Sequence, residues 1–229
     1  MPPSEPFVFQ DRDEAGRYLA AELAPLHLDH PIVYALPRGG VPVAAAIAHA
    51  LDAPLDLVLV RKIGAPHQPE LALGAVVDGA GEANTVLNPD IVARTRASHG
   101  YIAAARQSEL AEIERRRRAY LSGRPRPDPS NRPVIVIDDG IATGATARAA
   151  VHALRRHGPA RLILAVPVAP LDTTSNLRAA GIEVICTHEA GRFSGIARFY
   201  RDFHQLRDDE VIRLLDAAPR PPGDTHSRG

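Results

Sequence analysis

Residues 134–146 read V-I-V-I-D-D-G-I-A-T-G-A-T and hold the densest chemistry in this 229-residue chain. A β-branched run ends in two adjacent acids, Asp138 and Asp139. The chain then passes through Gly140 and Ala142 to Thr143, Gly144, Ala145 and Thr146, where a helix is predicted to open. The first N–H groups of a helix lack partners and its dipole is positive there, so a phosphate is a natural ligand. The two glycines let it approach closely. Two carboxylates cannot usefully contact that phosphate, but they can accept hydrogen bonds from sugar hydroxyls or hold water on a divalent cation. Phosphate and diol together describe a ribose phosphate. The plainer alternative for the same residues is a helix start capped by Thr143, with the aspartates capping the loop. The competing phosphate motifs G-x-x-x-x-G-K-[ST] and G-x-G-x-x-G do not occur in the chain.

Two further positions offer positive charge. Arg38 precedes Gly39 and Gly40 in a tight loop after the apolar run 32–36. Lys62 is the sole lysine among 27 basic residues. Its survival in an arginine-biased chain is either chance or a need for a compact, mobile point charge that a planar guanidinium does not replace.

The surrounding elements follow from periodicity. Residues 11–24 read as a helix with Ala15, Leu19 and Leu23 on one face. Residues 32–36 and 55–60 read as strands around a nearly all-apolar helix at 41–51. The Gly- and Pro-containing segment 61–73 reads as a loop, and 64–73, with His67 and Glu70, is a candidate lid. Short strands at 74–77 and 85–87 flank Asp78-Gly79, a hairpin candidate. Residues 91–121 read as mostly helical, with Glu109, Glu112 and Glu114 placed to pair with Arg115 to Arg118. With no interleaved aromatics, that arginine run reads as a solvated helix end and not a nucleic-acid surface.

Four prolines mark 122–133 as a linker. Strand 134–137, helix 143–157, strand 161–166, helix 173–180, strand 182–187 and a last helix at 208–217 follow. This alternation predicts an α/β fold: a doubly wound, mostly parallel sheet with helices on both faces and a ligand site at the carboxyl ends of the strands. One domain over 1–217 is expected, with a small hood, a helical insertion at about 88–122 and a disordered tail at 218–229.

A formal net charge of zero supplies no global field toward nucleic acid or an anionic membrane, so neither is an expected partner. Cys186 is the only cysteine, which excludes an intrachain disulfide and a multi-thiolate metal site. A reducing, cytoplasmic location is expected. No run approaches the roughly 18 apolar residues that a membrane helix requires.

Residues 134–146 resemble the phosphoribosyl pyrophosphate (PRPP) signature of type I phosphoribosyltransferases: an apolar strand, two adjacent acids, then T-G-x-T. Loop 36–40 resembles that family's pyrophosphate loop, and Arg61-Lys62 its basic site after the next strand. Residues 62–77, with Phe193, Phe199, Tyr200 and Phe203, resemble a poorly characterised bacterial branch. The resemblance spans about residues 7–217 and implies a transferase that moves the phosphoribosyl group of PRPP to a nitrogen acceptor, with Mg²⁺ as cofactor. By resemblance, Asp138 and Asp139 hold the ribose hydroxyls and contact the metal indirectly through water and PRPP. The 143–146 amides and hydroxyls take the 5-phosphate, within a substrate-binding loop that includes Gly140 and Ala142. Arg38, Gly39, Gly40 and Lys62 neutralise the leaving pyrophosphate.

Ala142 stands where relatives acting on 6-oxopurines carry an acid, which disfavours that acceptor class and leaves no general base in the motif. Adenine-specific relatives also have alanine there. The acceptor hood is expected from 7–26 or from 187–205. His67, His188 and His204 are titratable candidates near the site, while Phe199 and Tyr200 either stack on a base or pack in the core. A homodimer is expected by analogy. A non-catalytic sensor of PRPP or a nucleotide, and a hydrolase or phosphorylase of nucleotide sugars, remain alternatives.

Overall fold

The computed structural model describes residues 7–78 and 83–220, without the side chains of Pro69 and Glu70. In chain order the elements are α1 (Arg12–Leu23), β1 (Ile32–Ala35), α2 (Gly40–Ala50), β2 (Leu55–Leu57), β3 (Leu59–Ala65), β4 (Gln68–Asp78), β5 (Asn84–Leu87), α3 (Pro89–Thr95) and α4 (His99–Leu121). They continue with β6 (Pro133–Ile137), α5 (Ala145–Arg155), β7 (Arg161–Pro170), α6 (Leu171–Ala179), β8 (Glu183–Ala190) and α7 (Asp208–Ala217).

Five strands form a wholly parallel sheet in the order β2-β1-β6-β7-β8. Its central strands are apolar at successive positions because both faces are covered by helices. Val33, Ala35, Ile135 and Ile137 pack with Leu19, Leu23 and Ile47 of α1 and α2. Their alternates Ile32, Tyr34, Val134 and Val136 pack with Val151 and Leu154 of α5 and Leu177 of α6. The expected doubly wound α/β fold is the observed one. From β1 the chain turns outward to the edge strand β2, whereas β6 continues to β7 and β8 on the other side. The carboxyl ends of β1 and β6 therefore flank a topological switch point, where loops diverge and leave a crevice.

The segment 61–73 is not a loop. A second, antiparallel sheet, β3-β4-β5, takes it up. Gly64 sits at register shifts in the β3–β4 ladder, and Pro66 and His67 form the hairpin turn, with His67 at φ 60. The glycine and proline that suggested a loop thus mark a bulge and a turn. The apolar run 55–60 divides at Val58, so one stretch of chain feeds both sheets. Gly79 of the expected Asp78-Gly79 hairpin lies outside the described residues, as do 221–229 of the expected tail. Ala218 is buried, and the Pro219 carbonyl accepts from the Leu55 N–H at 3.3 Å.

The helical insertion breaks at Arg96, whose φ of 52 ends α3. Asn88 and Ser98 side chains cap α3 and α4. Its arginine run is not uniformly solvated. Arg115 and Arg116 pair with Glu112, but Arg117 shares the inner face of α4 with Ile113, Tyr120 and Leu121 and is 7% exposed. It reaches Asp56 at 3.2 Å and Asp78 at 3.4 Å, and Arg126 adds a 3.5 Å contact to Asp78. Burial raises the Asp78 carboxyl, and the two arginines oppose that shift. Helical periodicity, not local composition, turned one arginine of four inward.

Removing Arg117 alone takes the arginine from buried Asp56 and leaves buried Asp78 with only the 3.5 Å contact to Arg126, so Arg117→Met should cost about 3–5 kcal/mol in urea unfolding. Adding Asp56→Asn and Asp78→Asn should recover most of that loss. Equal stability of the single variant and wild type would show that the triad holds nothing together.

Candidate functional site

The site is built on the two strand ends at the switch point. After β1, the Leu36 N–H donates to the Ile137 carbonyl at 2.8 Å, and the Gly40 N–H donates to the Leu36 carbonyl at 3.0 Å. The Pro37–Arg38 peptide is cis. The resulting loop lies directly on the end of β6. A Cβ on Gly39 would sit 2.1 Å from Asp139 Oδ2, and one on Gly40 would sit 2.6 Å from the Ile137 carbonyl oxygen. Glycine is required at both positions by close approach.

On the other side of the crevice, β6 runs into Asp138, Asp139 and Gly140. Thr143 does not cap the following helix. Gly144 occupies the N-cap position of α5 at φ 70, a left-handed conformation suited to glycine, and no side chain caps that end. α2 likewise opens at Gly39 without a side-chain cap. Ala142, Thr143, Ala145 and Thr146 are all exposed around the start of α5. The start of α5 therefore opens at the switch point with its first amides left for water or a ligand, whereas at α2 the Gly40 N–H bonds the Leu36 carbonyl and the Val41 N–H the Arg38 carbonyl, at 3.0 and 3.1 Å.

The acid pair is divided. Asp139 is 7% exposed and receives the Arg12 Nε–H at 2.8 Å. Arg12 is itself held by the His204 carbonyl at 3.0 Å and lies 3.8 Å from the centre of the Phe203 ring. The Tyr200 hydroxyl donates to the Asp139 carbonyl at 2.6 Å. Asp138 Oδ1 accepts the Asp139 N–H at 2.9 Å. Among the described residues no donor meets the second Asp138 oxygen, and this side chain keeps partial exposure. Burial, then the neighbouring Asp139 charge, pushes the Asp138 carboxyl well above its ordinary range. Burial also raises Asp139, and Arg12 opposes that shift.

Lys62 on β3 and Thr143, Ala145 and Thr146 around the start of α5 line one cleft of about 660 Å³, floored by Val60, Ala75 and Leu87. Arg61 is paired with Glu109 at 2.7 Å. Arg38 is not among the residues lining this cleft. It contacts Asp208 at 3.4 Å, which also accepts the Tyr120 hydroxyl at 2.6 Å; burial, then Asp208, pushes that phenol up to about 12.

The two expected hood segments form one structure. Phe9 and Tyr200 form a parallel bridge, with the Phe9 N–H donating to Phe199 at 2.8 Å and the Arg201 N–H to Phe9 at 2.9 Å. Tyr200 packs in the core with Phe9, whereas Phe193 and Phe199 stack on each other with centroids 5.6 Å apart. His188 stacks on Phe7 at 5.0 Å, His67 sits exposed in the hairpin turn, and His204 is raised by Asp202 and Glu210. No group of three or more potential metal-ligating side chains occurs among the described residues. Sequence reasoning missed Arg12, yet its signal was present: a charge at the head of the buried stripe Ala15, Leu19 and Leu23.

A family model for the phosphoribosyl transferase domain matches residues 16–203. The chain belongs to the phosphoribosyltransferase family. A Mycobacterium tuberculosis protein, provisionally named a phosphoribosyl transferase, is 44% identical over 214 residues, covering 93% of this chain and 47% of the relative. The chain thus spans about half the length of that curated phosphoribosyltransferase relative. A solved structure from Thermus thermophilus, that of the protein TT1426, is 40% identical and superposes with a TM-score of 0.75 over 91% of this chain and 97% of its own.

The electrostatics of Asp138 give a pH test. Its folded value lies above the ordinary 3.8, so it is neutral and without penalty in both states at low pH. Stability is lost as pH rises past 3.8 toward that higher folded value. In metal-free buffer Asp138→Asn should raise the thermal midpoint at pH 7 and raise it less at pH 4, each kcal/mol relieved giving about 2–4 °C. An equal shift at both pH values would remove the ionisation penalty from Asp138.

Proposed function

We propose that this chain binds PRPP with Mg²⁺ and transfers its phosphoribosyl group to a nitrogen acceptor, a nucleobase, with release of pyrophosphate. The observation that carries this reading is the uncapped start of α5, together with the Gly39–Gly40 loop, beside an acid pair at the switch point. In this assignment the amides and hydroxyls of Thr143, Gly144, Ala145 and Thr146 hold the 5-phosphate, with Gly140 and Ala142 shaping the loop. The acid pair serves the ribose hydroxyls. The Gly39–Gly40 loop takes the pyrophosphate, with Gly39 offering its amide and Gly40, whose N–H is held by the Leu36 carbonyl, allowing close approach, and Lys62 serves the same ligand from the hairpin.

The acceptor nitrogen supplies the electron pair for the new bond to ribose C1, and the bond from C1 to the pyrophosphate oxygen breaks with its pair leaving on pyrophosphate. Preorganised positive charge at that oxygen lowers the barrier as negative charge develops. The residues present fit a divalent cation held mainly by the substrate. Asp138 and Asp139 carry two carboxylates against the single Arg12 guanidinium, and Asp138 keeps an unbonded oxygen that can reach the ion through water. Bound there, Mg²⁺ would supply charge neutralisation at the pyrophosphate. A cytoplasmic homodimer is the setting this reading implies; no described helix is long and apolar enough to cross a membrane.

A second reading, a PRPP or nucleotide sensor without turnover, is favoured by one observation. Arg38 is engaged by Asp208 and not by the cleft.

Calorimetric titration of PRPP with and without Mg²⁺, followed by a pyrophosphate-release screen across nucleobases, separates the two. Mg²⁺-dependent binding with release for one base is the expected outcome; binding without release would leave the sensor, and no binding would overturn the transferase and the PRPP sensor alike, leaving only a sensor of another nucleotide. Lys62→Ala should lower turnover by at least about tenfold, the scale of one lost charge contact in a transition state, and weaken ribose 5-phosphate binding less. Unchanged turnover would return Lys62 to chance survival.

A further inference from the structure

Resting on the PRPP reading, we infer that Arg12 is a positioning residue for the ribose-binding acids, joining them to the hood. Three contacts aim it. Its Nε–H holds Asp139 at 2.8 Å, its Nη1 binds the His204 carbonyl at 3.0 Å, and its guanidinium lies 3.8 Å over Phe203. Both members of the pair are buried, so neither has bulk water as an alternative partner. Asp139 Oδ2 also lies beneath Gly39, where there is no room for a Cβ. The carboxylate thus has little freedom to swing.

The consequence reaches the neighbouring acid. The Asp139 N–H is the donor that orients Asp138 Oδ1, and the Asp139 carbonyl is tied down by the Tyr200 hydroxyl. With Asp139 fixed through side chain, amide and carbonyl, Asp138 presents its remaining oxygen in one direction. Arg12 orders the site without touching substrate. It also makes that order depend on the hood, since Phe203 and His204 belong to the segment that pairs with residues 9 and 10.

A double-mutant cycle on the full chain tests this, with Mg²⁺·PRPP affinity measured by calorimetry for wild type, Arg12→Gln, Asp139→Asn and the double variant. Arg12→Gln should weaken binding by at least about tenfold, as expected when a buried charge-assisted hydrogen bond is lost. The double variant should bind no more weakly than the weaker single, because both changes break one unit. Arg12→Lys, which restores the charge, should recover part of the loss.

Should Arg12→Gln fail to fold, the double variant, whose buried pair is neutral, and Arg12→Lys carry the comparison against Asp139→Asn. Losses that multiply in the double variant would reduce Arg12 to a structural part of the hood and overturn the inference. So would wild-type affinity in a folded Arg12→Gln, or, if that variant does not fold, wild-type affinity in Asp139→Asn. Absence of PRPP binding by wild type would instead remove the reading beneath it, a distinguishable failure.

Discussion

The rest of the site depends on one close approach: the Gly39–Gly40 loop after β1 lies against the carboxylate end of β6. Adjacent parallel strands place their carboxyl ends side by side, and the diverging crossovers leave that end uncovered by other chain. Packing the loop onto Asp139 and the Ile137 carbonyl sets the start of α2 against the acid pair from which the chain runs on into α5. Positive backbone ends then face the side of a carboxylate pair. That contrast is what a phosphorylated sugar with a free diol offers in reverse.

Buried charge does the joining in two places. Arg117 ties α4 to Asp56 at the parallel sheet and Asp78 at the antiparallel one, and Arg12 ties the hood to Asp139. Desolvation makes each arrangement expensive unless every member is paired, so such a contact specifies geometry more than it adds stability. A chain rich in arginine suits this role, because a guanidinium can hold two or three partners at once from one side chain. Lys62, the sole lysine, lies on the cleft wall.

The paired segments around Phe9 and Tyr200 illustrate how one structure can be assembled from distant chain. Residues 9 and 10 pair with 199–202 through backbone hydrogen bonds, and aromatic rings from both segments, with Tyr18 and His188, fill the space between. Tyr200 spends its hydroxyl on the Asp139 carbonyl, so it belongs to the scaffold and not to a base-stacking surface. The antiparallel hairpin, meanwhile, gives Lys62 a strand to stand on where a loop was expected.

By itself the sequence determined the parallel sheet, its covering helices and the PRPP-like strand-loop-helix, since these rest on residue spacing and on contacts a few positions apart. The run 134–137 could only be a doubly buried strand followed by a loop into a helix, although the sequence set that helix start at Thr143 and only the structure put Gly144 at its N-cap. The tertiary structure alone decided that Arg12 would meet Asp139, 127 residues away, that Arg117 would turn inward, and that 61–73 would be a hairpin. It also decided that both hood segments would pair. Each of these depends on which surfaces face each other after packing, because a buried charge takes its partner, and a marginal strand its neighbour, from whatever the rest of the chain brings within a few ångströms.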